Sequence, residues 1–323
     1  MKSKSIYLAG GAAAILILAL LIRMPQVKQP ARKPALPSKV THSAEMTKYK
    51  TEPTISLFLH KNNTIQKMPM EQYLQGVIAG EVGSNPPMDA LKAQAITARS
   101  LVMNRIEYEN GVRAIHNTDV CDLPEHFEAY DASAITPRIT EAVKTTRGQV
   151  LMYNGRFAFG IFHSYAGPRT AAIEEYFPKL TNMVSAYIKS VPSPGAKYVP
   201  TKYKNWTVSI PKTDLQPIFG SIDIDDMKIT KKGPSGRAID VTAGGKTVKG
   251  WDMRAALGSQ RLKSTLITKI MPQDESIVFQ GQGWGHGVGL SQWGAFEMAK
   301  SGKTTMQILQ HYFPNTKVVK VWK

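Results

Sequence analysis

The residue of this chain best suited to acid/base chemistry is Glu81, in a segment with helical periodicity. Leu74 and Val77 fall at helical spacing, and Glu81 lies one heptad after Leu74, on the same apolar stripe. A carboxylate on an apolar face is unfavourable unless it is paired, protonated or functional. Desolvation raises the pKa of a carboxyl, which can then deliver a proton near neutral pH to a leaving oxygen. From position alone, a structural ion pair with Arg99 or Lys92 on the next helix is an equal alternative.

A second candidate segment, Leu91–Arg99, lies on the helix that Pro86–Pro87 opens. Its small residues permit close helix packing, while Gln94 and Arg99 are suited to orienting a partner carboxylate or a substrate hydroxyl. The alternative is an alanine-rich packing helix with polar edges. We take Lys92 and Gln94 as candidate substrate-binding residues.

The third candidate, Gly281–Gly294, has a glycine at every second position from 281 to 289. Such a backbone can approach a neighbour or a ligand closely. Neither G-x-G-x-x-G nor G-K-[ST] occurs in it, which argues against a nucleotide-phosphate loop. Trp284 and Trp293 offer flat faces for stacking on a sugar ring, and His286 and Gln292 offer hydrogen bonds. The alternative is a structural glycine-rich turn with core tryptophans.

The elements that must position these residues are short strands and helices in mixed order. Apolar residues alternate over 55–59, and two further strands are predicted at 149–153 and 157–163. Residues 192–275 are more basic and richer in turns, as in an inserted lobe. Without a regular βαβ rhythm, the pattern predicts an α+β fold around a substrate cleft, within a catalytic domain of residues 51–323.

The N-terminal segment predicts where the protein is located. Residues 6–22 form an uninterrupted run without charge or proline, preceded by two lysines and followed by no prompt cleavage site. We interpret residues 1–5 as a cytoplasmic tip, 6–22 as a single transmembrane anchor and 23–50 as a basic, proline-rich linker. The catalytic domain is then extracytoplasmic, on the cell-wall side of the cell membrane. A cleaved signal peptide is the alternative.

Composition narrows the class of partner. The chain carries 41 basic and 24 acidic residues, a formal net charge of +17, which favours a polyanionic neighbour. Nucleic acid does not fit an outward-facing anchored domain, and none of the aromatic segments is itself strongly basic. We therefore expect an anionic cell wall or membrane surface and no nucleic acid. A single cysteine rules out an intrachain disulfide framework.

Five segments, in this order, resemble the stage II sporulation protein D family, whose relatives include the amidase-enhancer proteins. They are Met70–Val82, Leu91–Arg99, Phe162–Thr170, Gly283–Gly294 and Ile308–Pro314. Together they extend over nearly all of the chain that is expected to fold, and five ordered motifs make a chance similarity improbable.

The resemblance implies a lytic transglycosylase that cuts peptidoglycan glycan strands during engulfment of the forespore. It implies that Glu81 is the catalytic acid/base and that Arg99 supports it. Within Phe162–Thr170 we take His163 and Ser164 as candidate substrate-binding residues, although a strand histidine is more often a core residue. Tyr187 resembles a family position near the site and is equally plausible as an interior aromatic.

The same resemblance implies partners and an alternative function. The implied partners are a sporulation cell-wall amidase that strips stem peptides and a polytopic membrane scaffold. The alternative is a non-catalytic wall-binding protein that stimulates an N-acetylmuramyl-L-alanine amidase. A single acid suffices for a transglycosylase, because the C6 hydroxyl of the N-acetylmuramyl ring attacks its own C1.

The loop after the second helix raises the question of a metal. His116, Cys121 and His126 are evenly spaced, and some family members bind zinc here with a second cysteine directly after the last histidine. This chain has Phe127 at that position. Three ligands and a water are sufficient in principle, but we favour a metal-free loop and expect no cofactor. Glu128, where the family usually has glutamine, adds a second titrating group near the site.

Overall fold

The computed structural model of the chain describes residues 44–83, 85–220 and 223–323. Helices and short strands are mixed in it without a repeating order, which confirms the predicted α+β class. In the described part, no helix is both long and apolar enough to cross a bilayer. The predicted anchor at 6–22 and most of the predicted linker lie outside the described residues.

The helices range from single turns to one of 22 residues. In chain order they are α1 (Ala44–Lys48), α2 (Met70–Glu81), α3 (Met88–Glu109), α4 (Arg113–His116), α5 (Pro137–Thr145), α6 (Thr181–Val184), α7 (Thr201–Lys204), α8 (Lys212–Phe219), α9 (Gly250–Leu257), α10 (Gln292–Lys300) and α11 (Thr305–Tyr312). Short 3-10 turns cover Ala132–Ala134, Ile173–Glu175 and Pro178–Leu180.

The strands are short and build several small sheets. They are β1 (Thr54–Leu59), β2 (Thr64–Pro69), β3 (Val120–Cys121), β4 (Gln149–Tyr153), β5 (Arg156–Phe157), β6 (Phe162–His163), β7 (Trp206–Pro211), β8 (Lys228–Lys232), β9 (Ala238–Ala243), β10 (Lys246–Lys249), β11 (Ile267–Pro272), β12 (Ser276–Gly281), β13 (Leu290–Ser291) and β14 (Lys317–Lys320). Three-stranded sheets have the orders β2-β1-β3, β14-β4-β5, β11-β12-β7 and β10-β9-β8. β6 and β13 form a parallel pair.

The predicted strand at 157–163 is interrupted in the structure. Its ends belong to β5 and β6, and residues 158–161 between them pair with no strand. Gly160 lies against the backbone of α3, where a Cβ would overlap the carbonyl oxygen of Thr97. The close approach to α3 therefore replaces strand pairing over these residues.

α3 is the central element of the larger core. It packs against α2, α5, α10, α11 and β4, and every residue from Ala90 to Arg105 except Lys92 is buried. Leu91, Ile96 and Val102 are fully buried, and each such side chain contributes about 1.5–3 kcal/mol of transfer free energy. The helix ends at Asn110, whose left-handed φ of 61° stops the hydrogen-bond ladder. α3 thus fixes the positions of α2 and α10, which carry the candidate site residues.

A second apolar core lies in the lobe formed by β7–β12, α8 and α9. Its fully buried members come from its two three-stranded sheets, both helices and the segment after α9: Ile210, Leu215, Phe219, Ala238, Val241, Ala243, Met253, Leu262, Ile277 and Phe279. These side chains contact one another rather than the larger core. The sequence analysis set apart residues 192–275, whereas this packed unit runs through β12 to Gly281.

A buried arginine joins the second lobe to the glycine-rich segment. Arg237 donates from Nη2 to the Ala166 carbonyl at 2.7 Å and from Nη1 to the Arg169 carbonyl at 3.2 Å. Gly287 packs directly on its guanidinium, at a φ of 87° where a Cβ would overlap the guanidinium atoms. Glycine is required there both for the left-handed backbone and for the close contact. These contacts hold the second lobe against the glycine-rich segment and against the loop that contains Ala166 and Arg169.

Candidate active site

Glu81 is the last residue of α2 and lies buried in a cleft, with 2% of its surface exposed. The backbone N–H of Ala129 donates to its Oε1 at 2.8 Å. That approach depends on two glycines one turn apart on α2. A Cβ on Gly76 would overlap the Tyr130 ring, and one on Gly80 would come within 3.0 Å of the Ala129–Tyr130 peptide. Because these two glycines have no side chains, the loop that contains Ala129 and Tyr130 can cross α2. This brings the Ala129 amide to the Glu81 carboxyl.

The cleft is formed by five separate parts of the chain. Its lining residues come from the end of α2, the turn into α3, the segment after β6, α7 and the first turns of α10: Glu81, Val82, Pro86, Ser164, Tyr203, Gln292, Trp293 and Phe296. The structure thus brings three predicted substrate-binding residues (Ser164, Gln292 and Trp293) together with Glu81.

The start of α10 holds Gln292 and Trp293 in place. The side chain of Ser291 caps the helix by accepting from the Gly294 amide at 3.3 Å, and it also accepts from the Ala166 amide at 3.2 Å. The Trp293 amide donates to the Ser164 carbonyl at 3.1 Å. Both cleft walls are therefore tied together by backbone hydrogen bonds.

Burial raises the pKa of Glu81 to about 7. The Ala129 amide and a hydrogen-bonding interaction with the Gln292 side chain act in the opposite direction, because both stabilise the carboxylate. Desolvation is the largest of these effects. A carboxyl with a pKa near neutrality can both give and accept a proton under physiological conditions.

An aromatic wall faces this carboxyl across the cleft. Trp293 is partly exposed and packs against Phe296, with 5.3 Å between ring centroids. Tyr203 of α7 contributes a third ring. Tyr203 was not predicted, because nothing in its local sequence marks it and only the tertiary fold brings it near Trp293. Phe296 was not predicted either, although it lies one turn after Trp293 on α10. Flat apolar rings beside a proton donor suit a carbohydrate substrate.

Comparison with known proteins shows which family this chain resembles. Residues 59–153, which include Glu81 and Ala129, match a family model described as stage II sporulation protein. The chain is 29% identical to stage II sporulation protein D of Bacillus subtilis (strain 168) over 341 residues, covering 98% of this chain and 96% of that protein. The chain is thus similar to the stage II sporulation protein D family over nearly its whole length. The resemblance found in the sequence is thus confirmed.

Two further proteins are similar to this chain. Stage II sporulation protein D of Bacillus amyloliquefaciens is 29% identical over 88% of this chain and 84% of its own length. An amidase enhancer of Bacillus subtilis (strain 168) is 25% identical over 75% of this chain and 40% of its own length. Residues 208–289 separately match a domain of unknown function, and most of the second lobe's core falls in this range.

His163 and His286 were predicted to bind substrate. Both lie outside the cleft, which corrects that prediction. His286 donates from Nε2 to the Phe162 carbonyl and accepts at Nδ1 from the Val288 amide. The Nδ1 of His163 bonds the Val288 carbonyl. Burial lowers the pKa of His163 to about 3 and that of His286 well below its usual value. Both rings are neutral and hold the glycine-rich segment.

Trp284 is also corrected, since it lies behind the aromatic wall. It is 6% exposed and meets Tyr203 edge-to-face at 4.5 Å in a small cluster with Tyr165 and Val199. The Lys263 ammonium lies 4.2 Å from its ring centroid. Trp284 therefore supports Tyr203 from behind, and it lines no part of the cleft.

Arg99 does not contact Glu81, contrary to the supporting role implied by the resemblance. Its Nη2 and Nε donate to the two oxygens of Glu71 at 2.6 and 3.1 Å, and Nη1 donates to the Gln149 carbonyl at 2.9 Å. Oε1 of Glu71 also accepts from the Trp322 indole at 3.0 Å. The ion pair considered for Glu81 thus belongs to Glu71, one residue into α2.

The other predicted substrate-binding residues do not line the cleft. Tyr187 is 3% exposed, and its hydroxyl accepts from the Phe159 amide at 2.9 Å, so the interior-aromatic alternative holds. Gln94 is buried, and neither atom of its amide has a partner among the described residues. Lys92 is partly buried on α3.

Glu128 is a second buried carboxyl next to the site. It is 1% exposed, and neither of its oxygens has a hydrogen-bond partner in the described part of the chain. Burial, followed by repulsion from Glu81, raises its pKa well above the usual range. Both effects disfavour the charged form of Glu128.

Four side chains near the 116–126 loop are arranged like metal ligands. His116, Cys121 and His126, named from the sequence, are joined by His60, and their ligand atoms all lie within 4.8 Å of one another. Sequence reasoning missed His60 because it follows β1, far from the other three in the chain. β1 pairs with β3, placing Phe58 opposite Cys121, and this pairing brings His60 to the loop. The donor set of three imidazoles and one thiol fits zinc.

Proposed function

We propose that this chain is a lytic transglycosylase that cleaves the bond between N-acetylmuramic acid and N-acetylglucosamine in peptidoglycan, leaving a 1,6-anhydro end. The observation that carries the proposal is the buried Glu81 carboxyl, which faces an aromatic-lined cleft and has its pKa raised to about 7. The reaction would take place during sporulation, in keeping with the family of the chain.

The proposed reaction has two proton transfers at one carboxyl. Protonated Glu81 gives its proton to the glycosidic oxygen as the bond from C1 to that oxygen breaks. The C6 hydroxyl of the same muramyl ring then attacks C1, and the Glu81 carboxylate takes up the hydroxyl proton. Because the nucleophile is tethered to the reacting ring, the entropic cost of bringing it to C1 is small. Glu81 ends the cycle protonated.

The composition of the cleft supports a single-acid mechanism. Hydrolytic glycosidases generally use two carboxylates, one of which activates water or attacks the sugar. Among the described residues that line the cleft, Glu81 alone carries a carboxyl group. Glu128 is buried outside this lining. An intramolecular nucleophile removes the need for a second group.

The hydrogen bonds to Glu81 suit a group that must alternate between acid and base. The hydrogen bond from the Ala129 N–H becomes stronger when Glu81 becomes a carboxylate. The Gln292 side chain interacts with the same carboxyl group. Burial alone would favour the neutral acid. The balance of the two effects keeps both protonation states accessible near neutral pH.

Trp293 is the proposed sugar platform, and its replacement by alanine should weaken glycan binding. We expect KM for denuded glycan strands to rise about tenfold, with a smaller change in kcat, because aromatic stacking is worth about 0.5–1.5 kcal/mol beyond area burial. Steady-state kinetics on strands of defined length measure both constants. Trp293→Phe should retain part of the affinity, and Trp251→Phe in the second lobe should have none of the effect. Unchanged KM in Trp293→Ala would exclude the platform.

The raised pKa of Glu81 predicts a characteristic pH dependence of activity. The acid must be protonated in the free enzyme, so kcat/KM should be level below pH 7 and fall about tenfold per unit above it. A pH profile of anhydro-product formation tests this. A plateau extending well above pH 8 would mean that another group supplies the proton.

The same shift has a consequence for stability. Between pH 4.5 and 7 the folded chain keeps a proton on Glu81 that the unfolded chain has lost, so stability should fall by about 3 kcal/mol as pH rises through this window. Above pH 7 the contribution is constant. Denaturant unfolding of the wild type and of Glu81→Gln across this range isolates the effect, since the amide does not titrate.

Product analysis separates the enzyme from its main alternative. Purified full-length protein is incubated with glycan strands, with and without stem peptides, and the products are identified by mass spectrometry. Anhydro-ended fragments support the transglycosylase. Intact strands, together with faster release of stem peptides by an added amidase, would instead support an enhancer, a possibility raised by the similarity to an amidase enhancer.

We also propose that residues 6–22 anchor the chain in the cell membrane, with the catalytic domain on the wall side. The basic linker and the net charge of +17 favour contact with anionic wall polymer or headgroups. The proposed partners are a cell-wall amidase that strips stem peptides and a polytopic membrane scaffold. Protease protection of an epitope placed before residue 6 tests the orientation.

A further inference from the structure

We propose that Lys202 and Lys263 form a subsite for a carboxylate of the glycan strand, on the Tyr203 side of the cleft. Lys202 precedes Tyr203 in α7, and Tyr203 lines the cleft. Lys263 comes from the second lobe, between α9 and β11. The inference rests on the proposed function, since it takes the cleft as the place where a peptidoglycan strand binds. It makes the two lysines responsible for selecting the sugar that binds next to them.

The two ammonium groups lie over a pair of packed aromatic rings. Nζ of Lys202 is 5.0 Å from the centroid of the Tyr203 ring, and Nζ of Lys263 is 4.2 Å from that of Trp284. The two rings meet edge-to-face, with 4.5 Å between their centroids. Burial lowers the pKa of Lys263, and so does the nearby charge of Lys202. The two positive charges therefore repel each other, and an anion bound beside both would relieve this repulsion.

The charges of these lysines are not compensated by carboxylates of the protein. In the part of the chain that the structure describes, neither lysine forms an ion pair. Nζ of Lys263 donates to the Gln260 carbonyl at 3.2 Å, and this acceptor is neutral. Lys202 is exposed and Lys263 is partly buried. A cation that is partly removed from water gains more from a bound counter-ion than one in bulk solvent.

Lys249 provides a contrast in the same lobe. It also lies over a tryptophan, with Nζ 5.7 Å from the centroid of the Trp251 ring. Its Nζ is 2.6 Å from Oδ1 of Asp240, so its charge is compensated within the protein. Lys202 and Lys263 differ from it because they have no such partner among the described residues.

The glycine-rich segment holds the two lysine-bearing segments in place. The backbone N–H of Gly283 donates to the Tyr203 carbonyl at 3.0 Å, and that of Gly285 donates to the Lys263 carbonyl at 2.9 Å. Both glycines have positive φ, 79° and 106°, which glycine adopts without strain. Alternate residues of one segment thus fix the backbone on both sides of the subsite. Because this backbone is ordered before a ligand binds, less ordering entropy opposes binding.

The strand carries a matching anion. Aromatic faces contact sugar rings, and a lysine ammonium pairs with a carboxylate. Each N-acetylmuramic acid bears a lactyl group whose carboxyl is free in strands without stem peptides, whereas N-acetylglucosamine has no charge. In strands with stem peptides, the lactyl carboxyl forms an amide and the peptide supplies the carboxylates. The ligand in either case is a carboxylate borne on a muramyl residue.

A carboxylate subsite beside the cleft fixes the register of the strand. The two sugars alternate, so the carboxylates recur at every second ring. A strand with one carboxylate on the lysine pair can therefore shift only by two rings at a time. The same one of the two kinds of glycosidic bond then always lies at Glu81.

Binding of uncleaved strands tests the proposal without relying on the reaction. Purified full-length Glu81→Gln is titrated with strands that lack stem peptides, either native or with their lactyl carboxyls converted to neutral methylamides. We expect native strands to bind about tenfold more tightly at low salt, and the difference to shrink as salt screens the charges. Equal affinity for both at low salt, with no gain for strands that carry stem peptides, would overturn the proposal.

Strands with stem peptides distinguish the two sources of the carboxylate. Tighter binding than that of native denuded strands would identify the peptide as the source, and weaker binding would identify the lactyl group. A poly(glycerol phosphate) serves as a probe for a different anionic polymer. If it binds more tightly than any strand, the subsite is not one for glycan carboxylates.

Methionine variants in the Glu81→Gln background assign the effect to the two lysines. Lys202→Met and Lys263→Met keep an apolar chain over each ring and remove the charge. Each should lower the affinity for native strands about three- to fivefold, and both together about tenfold, with little change for methylamide strands. Lys249→Met is the matched control and should change neither affinity.

An undiminished preference for native strands in the double variant would contradict the assignment. Should Lys263→Met fail to fold, Lys202→Met still decides the question, because that side chain is exposed. The outcomes also separate the subsite from the reaction. A wild-type chain that forms no anhydro product, while Glu81→Gln still prefers carboxylate-bearing strands, would refute the reaction and keep the subsite. Anhydro product formed from native and methylamide strands with equal KM would support the reaction and refute the subsite.

Discussion

Replacing Glu81 with glutamine should remove the 1,6-anhydro product, lowering kcat/KM by about 10³-fold, within the usual range for loss of a general acid. The amide has the shape of the acid but no proton to give at neutral pH. Mass spectrometry of the digested strands and steady-state rates measure the loss. The cleft itself should be unchanged, so glycan binding to the variant should persist.

The fold of Glu81→Gln should remain intact. The amide oxygen can accept from the Ala129 N–H as the carboxyl does. The variant is also neutral, as Glu81 is below its pKa of about 7. Below about pH 4.5, where Glu81 is protonated in both the folded and the unfolded chain, we therefore expect Tm to change by less than about 3 °C, corresponding to under 1 kcal/mol. A large fall in Tm would mean that lost activity reports unfolding.

Glu128→Gln is the matched control, because it makes the same change at a neighbouring buried carboxyl. Burial disfavours the charged form of Glu128, and its side chain does not line the cleft, so the variant should retain nearly full activity and the same pH profile. Wild-type product from Glu81→Gln would refute its assignment as the acid. Equal losses in both variants would show that two carboxyls act, and the single-acid mechanism would be wrong.

Replacing Arg99 with alanine should have the largest effect on stability, about 3–5 kcal/mol. Arg99 is fully buried, and its removal leaves Glu71 as an unpaired buried charge in the first turn of α2. Denaturant unfolding measures the loss. Activity per folded molecule should stay near the wild-type value, because Arg99 bonds Glu71 and the Gln149 carbonyl rather than the cleft.

Two comparisons separate a structural from a catalytic role for Arg99. Arg99→Met combined with Glu71→Gln removes both charges and should recover part of the lost stability. Lys249→Ala, which breaks an ion pair whose lysine side chain is 46% exposed, should cost under about 1 kcal/mol. Should Arg99→Ala remain stable but lose activity, the supporting role implied by the family resemblance would be restored.

The burial of Glu81 could be predicted from sequence because helical periodicity carries the information. Leu74 and Val77 define the buried face of α2, and Glu81 falls on it at the spacing of one heptad. The same rule identified α3 and its packing face. Short-range patterns of this kind depend only on residues within two or three turns, and the sequence contains all of them.

The direction of side chains in the glycine-rich segment could not be predicted. His286 and Trp284 turn inward and Trp293 faces the cleft, although all three stand in one motif. Gly283, Gly285 and the later alternate glycines adopt positive φ, so no simple periodicity relates position to side-chain direction. Trp293 differs because it lies in the first turn of α10, where the helix fixes its orientation.

Residues brought in from distant segments were also missed. Tyr203 belongs to a single turn of helix, and His60 follows an ordinary strand. Each reaches its cluster through tertiary contacts that no local pattern encodes. The interpretation of the 116–126 loop as metal-free weighed His116, Cys121 and His126 without His60, and it stays a prediction.

The glycine pair of α2 has one more consequence, for the timing of motion. The Ala129 amide reaches Glu81 across the part of α2 where these glycines have no side chains. The strength of its hydrogen bond depends on whether Glu81 is protonated, because a bond to a carboxylate is about twice as strong as one to a neutral acid. In the proposed reaction, the loop around Ala129 would therefore be held most firmly in mid-cycle, after the proton has moved to the leaving sugar. It would relax again once the ring has closed and Glu81 is protonated, which is when the cut strand must depart.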